Sequence, residues 1–176
     1  MYQIRTGVFE TNSSSTHSIC IDRAPVKRYP SHLHFHTGNY GWENEVYDLA
    51  DYLFTAICDL YDADERDDKL DHIREVLARH HVACTFHLPD EDGWWGINHV
   101  HDTAEFVRAV MNDDDLLLRA LLGSESCVYT GNDNEDHEDF PMKDCSDATI
   151  YDWENNKHIP NPDHHPDKYE YFYKGN

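Results

Sequence analysis

Residues 46–61 read VYDLADYLFTAICDLY. Val46, Leu49, Ala50, Leu53, Phe54, Ile57, Leu60 and Tyr61 recur at steps of three and four, the period that gathers side chains on one face of an α-helix. The spacing predicts a helix that starts near Glu43 and turns one apolar stripe inward. Residues 64–80 repeat the period through Leu70, Ile73, Leu77 and Ala78. Acids (Asp64, Glu65, Asp67) crowd the first turn of this second helix, and Arg79, His80 and His81 close it, as the helix dipole favours. Asp102 with Glu105 reads as a capping box ahead of a third helix whose core face is Phe106, Val107, Val110 and Met111. Residues 113–115 open a fourth helix that runs to Leu122 and closes at Gly123.

Around these helices lie shorter stretches. Residues 2–5, 18–22, 33–36, 82–88 and 126–130 read as strands, and the closing YEYFYK alternates as a strand does. Residues 94–100 read as a short buried stretch. The class this implies is α+β: one domain with a small mixed or antiparallel sheet and about four helices. Residues 1–140 carry that domain, and residues 141–176 form a polar extension packed on it.

The 176 residues are 39 % hydrophobic and 12 % aromatic, enough for a core. No apolar run approaches the ~18 residues of a membrane span, and no basic segment precedes an apolar one at the start. Five cysteines, odd in number and never in a CxxC pair, read as reduced cytoplasmic thiols.

Asp and Glu total 35 against 14 Lys and Arg, a formal charge of −21. That field repels phosphate backbones and anionic membranes, so neither nucleic acid nor membrane is expected as a direct partner. It attracts basic surfaces, of which the grooves of nucleic-acid-binding proteins are the commonest large examples. The other reading is a solvated, solubilising surface. Residues 43–72 hold eleven acids against Arg66 and Lys69, and residues 133–147 add seven against Lys143. The first helical pair should therefore present an acidic outer face. The partner contacts expected from it are Glu45, Asp48, Asp51, Asp59 and Asp62, joined by Asp133, Glu135 and Asp136 from the second run.

Fourteen histidines supply a second kind of chemistry. His34-x-His36 and His99-x-His101 have the spacing that puts both rings on one face of a strand. With a third ligand drawn from His17, Cys145, Asp133, Glu43 or His137, such a pair would hold zinc or another divalent metal. The set assigned is His17, His99, His101 and Asp133, and a metal there would suit a hydrolase or nuclease by polarising an oxygen and acidifying water. HEXXH, CxxC and the zinc-deaminase pattern are absent. The stretch TNSSSTHS, residues 11–18, sets Ser13, Ser14, Ser15 and Ser18 near His17. Without a GxSxG elbow no catalytic residue is assigned, and the hydroxyls also suit a hydrogen-bonded turn. His17 then either faces a shared site or caps that turn.

The opening RTGVFETNSSSTHSICI resembles a family of largely uncharacterised proteins from bacteria and their phages that begin R-T-x-x-F-E-T-N-S-S-S-T-H-S. Gly41 to Glu43 (GWE), the Tyr52–Leu53 pair, GINHVHD at 96–102 and TGNDNE at 130–135 are similar to further family segments. Where the family often carries an acid before the central histidine, this chain has Asn98. The resemblance implies a shared site at His17, Glu43, His99 and Asp133. Among acidic phage-borne proteins the chain resembles type II-A anti-CRISPR proteins. That implies a cytoplasmic inhibitor, in the bacterial host cell, of a CRISPR effector nuclease, whose guide–target duplex lies in a basic channel.

Overall fold

The computed structural model describes residues 15–89, 93–132, 145–152 and 154–174. The strand expected over residues 2–5, and Ser13 and Ser14, lie outside them. In chain order the elements are β1 (Ser15–Asp22), β2 (His32–His36), β3 (Asn39–Tyr40), β4 (Val46–Asp48), α1 (Leu49–Leu60), α2 (Ala63–Arg79) and β5 (Ala83–His87). They continue with β6 (Gly96–Ile97), a 3-10 turn (Val100–Thr103), α3 (Ala104–Met111), α4 (Asp114–Leu122), β7 (Cys127–Asn132), β8 (Thr149–Asp152), β9 (Lys157–Pro160) and β10 (Tyr169–Lys174). The fold is α+β, as expected. Its main sheet is antiparallel in the order β10-β1-β7-β4, with β2–β5 and β3–β6 as small parallel pairs and β8–β9 as a hairpin.

Helix α1 begins at Leu49 rather than near Glu43, for two reasons. Residues 46–48 are spent on the sheet, where Val46 pairs with Tyr129 and Asp48 with Cys127. The Asp48 carboxylate then accepts from the N–H groups of Ala50 at 2.8 Å and Asp51 at 3.3 Å, which caps the helix. Nor does α1 carry a single inward stripe. Tyr52 and Phe54 stand two residues, hence about 200°, apart on the helix. Tyr52 meets His17 of β1 and Phe106 of α3, while Phe54 meets Phe35 and Phe86 of the β2–β5 pair. The helix is clamped between the main sheet and that pair. Leu53, Phe54 and Ile57 are fully buried, and such side chains contribute about 1.5–3 kcal/mol each.

Helix α2 is the amphipathic one. Asp62 caps it through the N–H of Glu65 at 3.0 Å, and Leu70, Ile73, Val76 and Leu77 face the core. Ala78, expected inside, is exposed, because Val76 and Leu77 complete the stripe. The capping box expected at Asp102 does not form. Residues 100–103 wind as a 3-10 turn, and no side chain caps α3 at Thr103. Asp113 does cap α4, accepting from Asp115 and Leu116.

Strand β1 has both faces covered; all eight of its residues are buried. Side chains alternate along a strand. On the helix side, His17 reaches Tyr52, and Ile19 and Ile21 join the core. On the other side, Ser18 bonds Ser146 at 3.2 Å and the Cys20 thiol lies 3.1 Å from that of Cys145. Cys145 is in turn held through its carbonyl, which accepts from His164 Nδ1 at 3.0 Å. Part of the C-terminal segment thus covers one face of the sheet, and β10 adds a strand at its edge beside β1. The hydroxyl-rich stretch from Ser15 onward is a buried strand, not a turn. No helix among the described residues is long and apolar enough to cross a membrane.

Candidate functional site

His17 is 0 % exposed and uses both ring nitrogens. Nε2 lies 2.8 Å from the Gly41 carbonyl and Nδ1 lies 2.7 Å from the Tyr52 hydroxyl. A carbonyl only accepts, so Nε2 carries the proton. In the neutral ring Nδ1 then accepts from Tyr52, whose hydroxyl is kept protonated: burial, and after it the neighbouring Tyr40, push its pKa far above the ordinary value. His17 therefore pins the loop at Gly41 to the centre of the fold.

That loop forms one wall of a cleft of about 340 Å³, lined chiefly by Trp42, Glu43, Asp59, Trp94, Trp95 and Asn98. Its geometry is held from several directions. Glu43 Oε2 accepts from the Gly41 N–H at 3.2 Å, and the Glu43 carbonyl accepts from the Thr130 hydroxyl of β7. The opposite wall, residues 96–98, pairs with β3 through Gly96 N–H to Gly38 at 2.9 Å and Asn98 N–H to Tyr40 at 2.9 Å. Asp59, near the end of α1, accepts from the Ile97 N–H at 3.0 Å. Gly96 sits at φ +132°, which side-chain-bearing residues avoid, and a Cβ there would lie 3.1 Å from Asp59 Oδ2. Ser15 Oγ reaches the Asn98 carbonyl at 3.5 Å. Four separated sequence segments, at 15–17, 41–43, 96–98 and 130, thus meet here.

The stretch 94–100 was expected to be buried, but only Ile97 and Val100 are. Trp94 is 90 % exposed and Trp42 47 %. Because residues 96–97 are held by β3, the Trp94 indole is carried to the surface while Trp95 is half-buried. Nothing in the periodicity announced the cleft. The signal that was present is the pairing of glycine with tryptophan in GW at 41–42 and WWG at 94–96.

The assigned metal ligands scatter. His17 is buried with both nitrogens bonded, whereas His99 and His101 are exposed and stand at the 3-10 turn rather than on a strand. The spacing rule that would align their rings applies to an extended strand, and His99 is in the left-handed conformation at φ 54°. Among the described residues no group of three or more His, Cys, Asp or Glu side chains is arranged to hold a metal ion. Asp133 and His137 lie outside the described residues. The other pair, His34 and His36, is on a strand as expected, where His32, His34, His36 and His87 stack in series along the exposed side of β2–β5.

The assigned partner contacts divide. Asp48 and Asp62 cap helices, Asp51 accepts from the His36 N–H at 2.8 Å, and Asp59 lines the cleft. Glu45 is exposed and bonds Tyr47, whose phenol is pushed up to about 12 by burial first and by this carboxylate next. Asp133, Glu135 and Asp136 lie outside the described residues. The acidic outer face expected from both helices is carried mainly by α2, because residues 49–57 of α1 are mostly buried and only Asp48 and Asp59 at its two ends are exposed acids. Comparison with family models, with curated proteins and with solved structures finds no match to this chain.

Proposed function

We propose that this chain is a binding protein that lays exposed carboxylates on a basic surface of a nucleic-acid-binding enzyme. The partner class that the resemblance points to is a type II CRISPR effector nuclease with its guide RNA. The observation that supports this reading is the outer face of α2. Asp64, Asp68, Asp71 and Glu75 are exposed there at steps of four, three and four residues. At 1.5 Å per residue they follow one another by roughly 4.5–6 Å along the axis. The only ion pairs on this helix among the described residues that engage its own acids are Arg66 with Asp67 and Arg74 with Asp71. Asp64, Asp68 and Glu75 are left to meet an external cation. Against a charge of −21, such a line steers a basic partner and competes with phosphates for its groove.

The test is capture of a purified type II effector, with and without guide RNA, at rising salt. The expected result is binding that weakens as salt screens the charges and that is lost when Asp64, Asp68 and Asp71 are all changed to Lys. No binding at low salt, or binding indifferent to those substitutions, refutes the proposal.

A further inference from the structure

We infer that the cleft between Trp42 and Trp94 is a binding site for an arginine guanidinium presented by a basic protein, an inference that rests on the reading of the partner as a basic surface. Three of the chain's four tryptophans, Trp42, Trp94 and Trp95, line this cleft. Among the described residues most other large apolar side chains are buried, yet Trp94 is 90 % exposed. An indole face attracts cations more strongly than any other side-chain ring. Two carboxylates, Glu43 and Asp59, stand on the same walls, each tied through one oxygen to a backbone N–H of the cleft, Gly41 and Ile97. Those bonds hold the carboxylates in place before any ligand arrives, which lowers the ordering cost of binding.

The remaining polar lining is Asn39 and Asn98, and no cationic side chain lines the cleft among the described residues. Phosphate-bearing ligands are therefore repelled, although a base could stack on an indole. Between the two biological cations, guanidinium fits better. It is planar and weakly hydrated, stacks flat on an indole and offers a fork of donors to a carboxylate, whereas an ammonium is a strongly hydrated point charge. A volume of about 340 Å³, at the small end of ligand pockets, admits one such side chain with room to spare.

Tryptophan fluorescence tests this directly, since three of the four tryptophans in the sequence line the cleft. The whole protein is titrated with a short arginine-rich peptide, its lysine counterpart, an acidic peptide and a neutral oligosaccharide. The expected result is a saturable emission change with the arginine peptide. Trp94→Ala should weaken that affinity about 10-fold, in the range a desolvated cation–π contact supplies, with circular dichroism unchanged. Glu43→Gln should weaken it as well. Because Trp94→Ala keeps the net charge, diffuse attraction to an acidic protein would be unaffected by it. Equal affinity in Trp94→Ala, no emission change, or a preference for the oligosaccharide overturns the site; equal lysine binding overturns the guanidinium assignment. The triple α2 variant separates this proposal from the previous one. It should lose the effector but keep the arginine peptide. Arginine binding without effector binding sinks only the effector reading, and effector capture indifferent to Trp94→Ala sinks only the cleft.

Discussion

Replacing Tyr52 with Phe removes one oxygen from a site that is 0 % exposed and leaves the ring volume intact. Neither a cavity nor a lost aromatic contact follows, so the stability change isolates one hydrogen bond, the 2.7 Å contact to His17 Nδ1. Water cannot replace the hydroxyl at that depth, and a buried acceptor deprived of its donor costs about 1–3 kcal/mol. In a chain of this size 1 kcal/mol corresponds to about 2–4 °C, so a loss of 2 kcal/mol lowers Tm by about 4–8 °C. Replacing His17 with Phe leaves two groups without this partner, the Tyr52 hydroxyl and the Gly41 carbonyl. It should therefore cost more than Tyr52→Phe. Combined, the two substitutions should cost less than their sum by about 0.5–3 kcal/mol, because they break one shared contact. Urea unfolding of the four proteins measures this. The cleft supplies a second readout: Tyr52→Phe keeps the bond from His17 to Gly41 and should leave Trp emission unchanged, while His17→Phe frees the loop and should alter it. A Tyr52→Phe variant within about 0.5 kcal/mol of the parent, or strictly additive costs, would refute the view of His17 as a buried pin.

Gly96→Ala forces a methyl into φ +132° and within 3.1 Å of Asp59 Oδ2, so a loss of about 1–3 kcal/mol is expected, read by urea midpoint. His34 has its pKa lowered, by desolvation first and then by His32, His87 and His36. The unfolded chain therefore takes up this proton at higher pH than the folded one, so the His34 contribution to stability is level above about pH 6.5 and falls as pH drops below it. His34→Asn should flatten that slope in denaturation curves between pH 7.5 and 5; an unchanged slope would contradict the stacked arrangement. Among the cysteines, Cys127 is held below its ordinary pKa chiefly by its bond to Cys20, whereas hydrogen bonds and burial drive Cys20 far up and burial takes Cys58 to about 11. Peptide mapping after brief alkylation at pH 7.5 should find Cys127 modified before Cys20 and Cys58.

Local chemistry alone determined much of this fold. The acidic first turn and the three- and four-residue apolar steps of α2, the close of α4 at Gly123, and the alternation of β5 and β10 act within a few residues, so the chain order reveals them. The net charge, and the α+β class that follows from these elements, were legible for the same reason. What the tertiary structure decided was where each face points. Polar residues 15–18 look like a surface turn, yet they lie inside a sheet because Tyr52, Gly41 and Ser146 supply bonds from 24 to 128 residues away. Helix α1 looks amphipathic, yet most of it is buried because two separate β-layers close on it. Trp94 looks like core, yet it is exposed because the β3–β6 pairing fixes the backbone beside it. Burial is a property of what packs against a residue, and for these residues the packing partners come from distant parts of the chain, which no local period can specify.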